Sequence, residues 1–353
     1  MSLPEIPTAA AEDLSGGSAI GTSVTYPDVS FIFTDTAPDV NTPVVWTLRR
    51  YHPLVPRLKA NGLEFEYDAF GDAGAPPLLL IMGLGGQMIS WDEEFCELLA
   101  TRGFHVVRFD NRDTGLSTKL DHLGTPSAFA VAEGSVPAPY ALDDMADDAA
   151  GVLDALGIPS AHVVGASMGG FIAQLMAIHH RPRVLSLTSI MSAPGGLVDN
   201  VPATPEAADA LLAPPPADRE GMIEHGVWVS SRTAGPEHFD REESRRRRTI
   251  AVDRSVSPAG TARQFAAIAA ARSRVAALRT LDVPTLVVHG EVDPLVPVEN
   301  GRRTAEAIPG ARLLLLPTMG HDLPRPYWPR IVAAIAETAR RADPRVPAPA
   351  LSP

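Results

Sequence analysis

Cysteine is nearly missing: the 353-residue chain holds one, Cys96. A single thiol excludes any internal disulfide. Its setting, Trp91-Asp92-Glu93-Glu94-Phe95-Cys96-Glu97-Leu98-Leu99, has a helical pattern and suits a packed thiol rather than a nucleophile. Long apolar runs are missing too, and none approaches the ~18 residues of a transmembrane helix. The first residues carry neither a basic nor an apolar leader pattern, so a cytoplasmic protein is expected. Positive charge is in short supply. A net charge of −12, spread along the chain, argues against nucleic acid or an anionic membrane as partner. No H-E-x-x-H motif occurs and no carboxylate spacing accompanies His179-His180, so no metal site is expected.

What is present is an ordinary globular balance, 45% apolar and 20% charged, arranged in a regular rhythm. Leu63-Glu64-Phe65-Glu66-Tyr67 alternates as a half-buried edge strand does. Pro77 to Met82 is a short continuous apolar run, expected as a buried parallel strand, and it ends in Gly83-Leu84-Gly85-Gly86. Helical patterns at Met88–Ala100 and Leu142–Leu156 flank a strand pattern at Phe104–Phe109. Strand patterns follow at 161–164 and Val184–Ile190. This alternation predicts a mostly parallel sheet with helices on both faces. It stops at Pro194, where a helical insertion begins, and resumes near Pro284. The expected organisation is an N-terminal extension over 1–58, partly disordered, and a first part of the α/β core over 59–193. A helical cap over 194–280, a second part of the core over 281–342 and a disordered tail over 343–353 complete it.

The chemistry centres on Gly165-Ala166-Ser167-Met168-Gly169, which matches the G-x-S-x-G elbow, where a strand turns sharply into a helix and exposes a serine hydroxyl. A serine nucleophile needs a base and a group to orient that base. Two late loops supply them: Glu291-Val292-Asp293-Pro294 after one strand, and Met319-Gly320-His321-Asp322 after the last. Asp293 and His321 complete the chain order Ser…Asp…His, with Glu291 and Asp322 as rival carboxylates. The Gly83–Gly86 loop has three readings. One is an oxyanion hole, with the Leu84 N–H joining that of Met168. Another is a dinucleotide-binding turn, whose fingerprint is incomplete: Met88 stands at the third glycine, and Asp110 follows later than the usual ~20 residues. The third is a plain βα turn. The run Arg245-Arg246-Arg247-Arg248 beside Glu242 and Glu243 reads as a solvated helix face, or as an attractor of anionic substrate.

Over about Asn61 to Ala342 the chain resembles the α/β-hydrolase superfamily. Met82-Gly83, Asp110-Asn111-Arg112-Asp113-Thr114-Gly115-Leu116-Ser117 and Gly320-His321-Asp322-Leu323-Pro324 are similar to the group of aclacinomycin methylesterase and related esterases, and Asp253–Gly260 matches more loosely. The resemblance implies an α/β-hydrolase fold and a cofactor-free serine esterase acting on a small-molecule ester. Its catalytic residues carry over onto Ser167, Asp293 and His321, and its oxyanion donors onto Leu84 and Met168. The chain departs from the group in roughly 55 extra N-terminal residues. The same constellation would serve a thioesterase, a lactonase or a cofactor-free perhydrolase. A ligand-binding protein that kept the fold without turnover is the alternative of another class. Met222, Trp228, Phe265 and Ile268 are candidates for the roof of the pocket.

Overall fold

The structure, a computed structural model, describes residues 56–196 and 199–347, together with the strands β1 (Val24–Tyr26) and β2 (Val29–Phe31). The chain divides into two compact units, Met1–Val55 and Pro56–Pro353. In the first, β1 and β2 pair antiparallel, with Val24 opposite Phe31. The strand pattern read at Val29–Phe33 includes β2, whereas the apolar Val44-Val45-Trp46 lies outside the described residues.

The second unit is built on an eight-stranded sheet. Its strands are β3 (Arg57–Ala60), β4 (Leu63–Phe70), β5 (Pro77–Ile81), β6 (His105–Phe109), β7 (Ala161–Ala166), β8 (Val184–Ile190), β9 (Thr285–Gly290) and β10 (Arg312–Leu316). They lie in the order β10-β9-β8-β7-β5-β6-β4-β3. All neighbours pair parallel except β4, which runs antiparallel to both β6 and β3. β4 was expected at the edge. The edge is β3 instead, a short strand beginning at Arg57, inside the stretch assigned to the extension. Asn61 and Gly62, both at positive φ, make the tight turn that returns β3 onto β4.

The central strands are buried on both faces, which is why they read as unbroken apolar runs. Along β5, Leu79 and Ile81 join one core while Leu78 and Leu80 join the other, and all four are fully buried. The first core holds α3 (Leu142–Ala155), α4 (Met168–His179) and α10 (Val298–Ala307) against the sheet. The second holds α1 (Glu93–Ala100) and α11 (Trp328–Arg340), with Cys96 packed inside and its thiol pushed up to about 12 by burial. The tail expected to be disordered from 343 instead packs there through Val346; residues 348–353 lie outside the described set.

The helices that follow β5 and β7 lie on opposite faces of the sheet. Between the carboxyl ends of these two paired strands a crevice therefore opens, the switch point at which open α/β sheets place their ligands. The segment between β8 and β9 is helical: α2 (Ala128–Ala132) precedes it elsewhere, and it contains α5 (Pro205–Leu212), α6 (Arg219–Thr233), α7 (Arg241–Arg254), α8 (Pro258–Ala270) and α9 (Val275–Leu278). α8 ends at Ala270, where the chain turns back to the sheet, and α9 starts at Val275. The Arg274 N–H donates to the Pro194 carbonyl, and its guanidinium donates to those of Ala193 and Gly195, closing the base of the insertion.

Candidate active site

Ser167 stands between β7 and α4 with φ 55° and ψ −122°, a backbone conformation that costs a non-glycine residue energy and is found where function demands it. The surrounding glycines make it possible. A Cβ on Gly165 would sit 1.9 Å from the Gly169 carbonyl oxygen, and one on Gly169 would sit 2.1 Å from that of Ile81. Strand, turn and helix can touch only without those atoms. The Ser167 N–H donates to Ile190, and its carbonyl accepts from the Ser192 hydroxyl, so the strained turn is held on both sides.

His321 follows β10 and brings its ring to the serine. Nε2 lies 2.9 Å from Ser167 Oγ, and Nδ1 lies 2.9 Å from Asp293 Oδ2. Asp293 follows β9. Its other oxygen accepts the N–H groups of Leu295 at 2.9 Å and Val296 at 2.8 Å. That leaves Oδ2 for the imidazole, and the carboxylate is fully buried. The two rival carboxylates lie elsewhere. Glu291 is exposed. Asp322 points away and accepts from the main chain of Gly235 and Gly320; burial pushes its carboxyl up, against the pull of those N–H groups.

The Gly83–Gly86 loop lies against the serine: a Cβ on Gly83 would come 3.0 Å from that of Ser167. The loop is a four-residue turn, closed by Gly86 N–H on the Gly83 carbonyl, with Gly85 at φ +62° in the third position as in a type II turn. The Gly85 N–H is taken by the Gln264 side chain at 2.8 Å. Among the described residues, the N–H groups of Leu84 and Met168 have no acceptor; the latter is the first donor of α4, where the helix dipole favours negative charge.

The loop after β6 braces this turn. Asp110 accepts from Met88 N–H at 2.7 Å and Leu116 N–H at 2.8 Å and pairs with Arg254 of α7 at 2.8 Å. Asn111 donates to the Met82 carbonyl. Asp113, itself at φ 70°, meets Arg263 of α8 in a two-bond pair at 2.9 and 2.7 Å and accepts from Tyr140. Burial pushes the Asp113 carboxyl up, but Arg263, Leu120 N–H and Tyr140 outweigh it and hold it below its ordinary value. The dinucleotide reading of this region is therefore not met: Asp110 is fully buried and engaged, and Arg254 and Gln87 fill the space beside it.

The arginine run is consumed within the protein. Arg245 pairs with Glu220 and Glu224, Arg246 and Arg247 with Glu243, Arg247 also with Asp92, and Arg248 donates to Ser230. Of the expected roof residues, Ile268 is buried in the first core and Phe265 packs against it, while Trp228 is 37% exposed beside the His225 ring. The sequence assigns no role to His289. It is fully buried, places Nε2 2.7 Å from the Val296 carbonyl, and so props the Asp293 loop from beneath. Burial lowers its pKa, against the raising pull of Asp293 and of the Val296 bond.

Sheet topology, switch-point crevice and serine elbow together define the class, and the comparisons agree. The family described as alpha/beta hydrolase fold matches residues 76–324, and the chain belongs to that family. The chain is 34% identical over 298 residues to the rhodomycin D methylesterase DauP of Streptomyces sp. strain C5, covering 78% of this chain and 94% of that protein. It is 29% identical over 275 residues to a putative carbamate hydrolase, RutD, of Variovorax paradoxus, covering 73% and 90%. Among solved structures, the enol-lactonase from Burkholderia xenovorans LB400 superposes with a TM-score of 0.60 at 26% identity, covering 82% and 98%. The chain is thus an enzyme, a hydrolase of the ester-cleaving kind. Among the described residues no helix is long and apolar enough to cross a membrane.

Proposed function

We propose that the enzyme hydrolyses a small-molecule carboxylic ester through an acyl-enzyme on Ser167. The observation that carries this reading is the unbroken relay from Ser167 Oγ through the His321 ring to Asp293, with 2.9 Å at each link. Asp293 can only accept, so it holds the proton of His321 on Nδ1 and leaves Nε2 free to take the serine proton. Ser167 Oγ then bonds the ester carbonyl carbon. The carbonyl oxygen becomes an oxyanion, and the two unengaged N–H groups, of Leu84 and Met168, are the donors proposed for it. The protonated Nε2 gives its proton to the leaving alkoxide, and the alcohol departs. Water, deprotonated by the same nitrogen, attacks the acyl carbon and returns the serine. The insertion over 194–280 acts in this reading as a cap over the carboxyl ends of the strands.

The methylesterase likeness points to a methyl ester, with methanol as the leaving group. The enol-lactonase likeness favours a second reading, a cyclic ester opened by the same first step. The test sets aryl methyl carboxylates beside lactones and p-nitrophenyl esters of graded length. The proposal expects stoichiometric methanol release, abolished by a fluorophosphonate that modifies Ser167. Turnover of lactones alone would shift the reading to the second substrate class. Turnover untouched by the fluorophosphonate would remove it.

A further inference from the structure

The amide of Gln264 is fully buried in α8, and three hydrogen bonds run from it to the floor of the site. Oε1 accepts from Gly85 N–H at 2.8 Å. Nε2 donates to the Arg112 carbonyl and to Thr114 Oγ1, both at 2.8 Å. The orientation is unambiguous, because Gly85 N–H can only donate and the Arg112 carbonyl can only accept. One side chain from the insertion therefore ties the serine-facing turn to the loop after β6.

What it ties matters for the chemistry. The turn Gly83–Gly86 has four N–H groups. That of Gly86 closes the turn, and that of Gly85 goes to Gln264. The Gly85 N–H belongs to the central peptide of the turn, whose direction distinguishes a type II turn from a type I turn. Fixing that peptide fixes the Leu84 residue between it and Gly83, and hence the direction of the Leu84 N–H. Thr261, one turn earlier on α8, lies directly over Gly85: a Cβ there would be 2.8 Å from its hydroxyl oxygen. Released from Gln264, the central peptide loses the bond that holds its direction, and the Leu84 residue loses its anchor on the C-terminal side. An oxyanion donor misplaced by about 1 Å loses much of its effect on the transition state while hardly affecting substrate binding.

We propose that Gln264 is a positioning residue for the oxyanion hole, setting the Leu84 N–H through the Gly85 peptide. The inference rests on the serine-hydrolase reading above. It makes the insertion part of the catalytic machinery as well as a cover for the site.

The experiment uses the full chain, p-nitrophenyl acetate as substrate, an alkyl trifluoromethyl ketone as the anionic tetrahedral mimic, and the alcohol of the same skeleton as an uncharged ground-state ligand. For Gln264→Met, kcat should fall about 10- to 100-fold with KM within about twofold. Affinity for the ketone should fall by the same factor, and affinity for the alcohol should stay. Gln264→Glu keeps the acceptor for Gly85 but faces the Arg112 carbonyl with an oxygen, so its loss should be smaller and of the same kind. A merely structural role would lower melting temperature without separating ketone from alcohol. Wild-type kcat and ketone affinity in folded Gln264→Met would overturn the proposal, as would equal losses for ketone and alcohol. Should the Met variant not fold, Gln264→Asn decides, since a side chain one methylene shorter cannot hold the Gly85 N–H: selective loss of ketone affinity supports the proposal, and wild-type values overturn it. Failure of the underlying reading looks different, since wild-type enzyme would then resist the ketone and Ser167→Ala would remain active.

Discussion

The main-chain N–H of His321 donates to the carbonyl of Thr233 at 2.7 Å. Thr233 is the last residue of α6, so the loop that presents the imidazole to Ser167 hangs on the inserted helices as well as on β10. The contact continues next door. Asp322 Oδ1 accepts from Gly235 at 3.2 Å, and His238 Nε2 lies 2.6 Å from Thr318 Oγ1. With Gln264 on Gly85, the insertion grips both the histidine loop and the serine-facing turn.

This grip gives a prediction for Gly235. A Cβ there would lie 2.1 Å from the Thr318 carbonyl oxygen, so Gly235→Ala must push the histidine loop aside. We expect kcat to drop by about 10²-fold on short and long p-nitrophenyl esters alike. A change in chain-length preference at undiminished kcat would show that the contact shapes the pocket rather than the relay.

The carboxylate assignment is tested by a pair of isosteric changes. Asp293→Asn should cost about 10⁴-fold in kcat, because the amide favours the wrong imidazole tautomer. Glu291→Gln, on an exposed side chain two residues earlier, should leave kcat near wild type. The reverse outcome would make Glu291 the orienting group.

The Arg263–Asp113 pair should report in stability. Both side chains are buried, and removing Asp113 takes the two-bond partner from Arg263 and leaves it only the exposed Asp121 carboxylate at 2.9 Å. Asp113→Ala should therefore cost about 3–5 kcal/mol by chemical denaturation. The pH dependence has a definite sign. The folded-state pKa of Asp113 lies below its ordinary value, so the ionised pair contributes fully above the ordinary carboxylate range. That contribution is lost as pH falls through the lower folded value. The stability gap between wild type and Asp113→Asn should thus narrow toward acid pH. A gap that does not change with pH would mean that Asp113 titrates as it does in the unfolded chain.

Much of this was legible in the sequence where the signal is local. The elbow is a five-residue pattern whose glycines are required by contacts of about 2 Å. The apolar runs of β5 and β9 announce strands buried on two faces. Asp293 and His321 were found by chain order, since each follows a strand whose carboxyl end faces the crevice. What stayed hidden acts across long stretches of chain. Gln264 reads as a polar residue in an ordinary helix, and its partner Gly85 is 179 residues away. Arg263 and Asp113 are 150 apart. No periodicity encodes such pairings; the one available trace is that Arg263-Gln264 puts two polar residues on the same apolar helix. The place of β4 was missed for a related reason. Its alternation reports one half-open face, and it cannot say that the short β3 covers its edge.

The central claim is that Ser167 performs the chemistry, and substitution of that one oxygen tests it most directly. We expect Ser167→Ala to fold as wild type by circular dichroism and melting temperature, and to lose about 10⁴-fold or more of kcat on p-nitrophenyl acetate. A folded Ser167→Ala protein that turns over the ester at a near-normal rate would contradict the account.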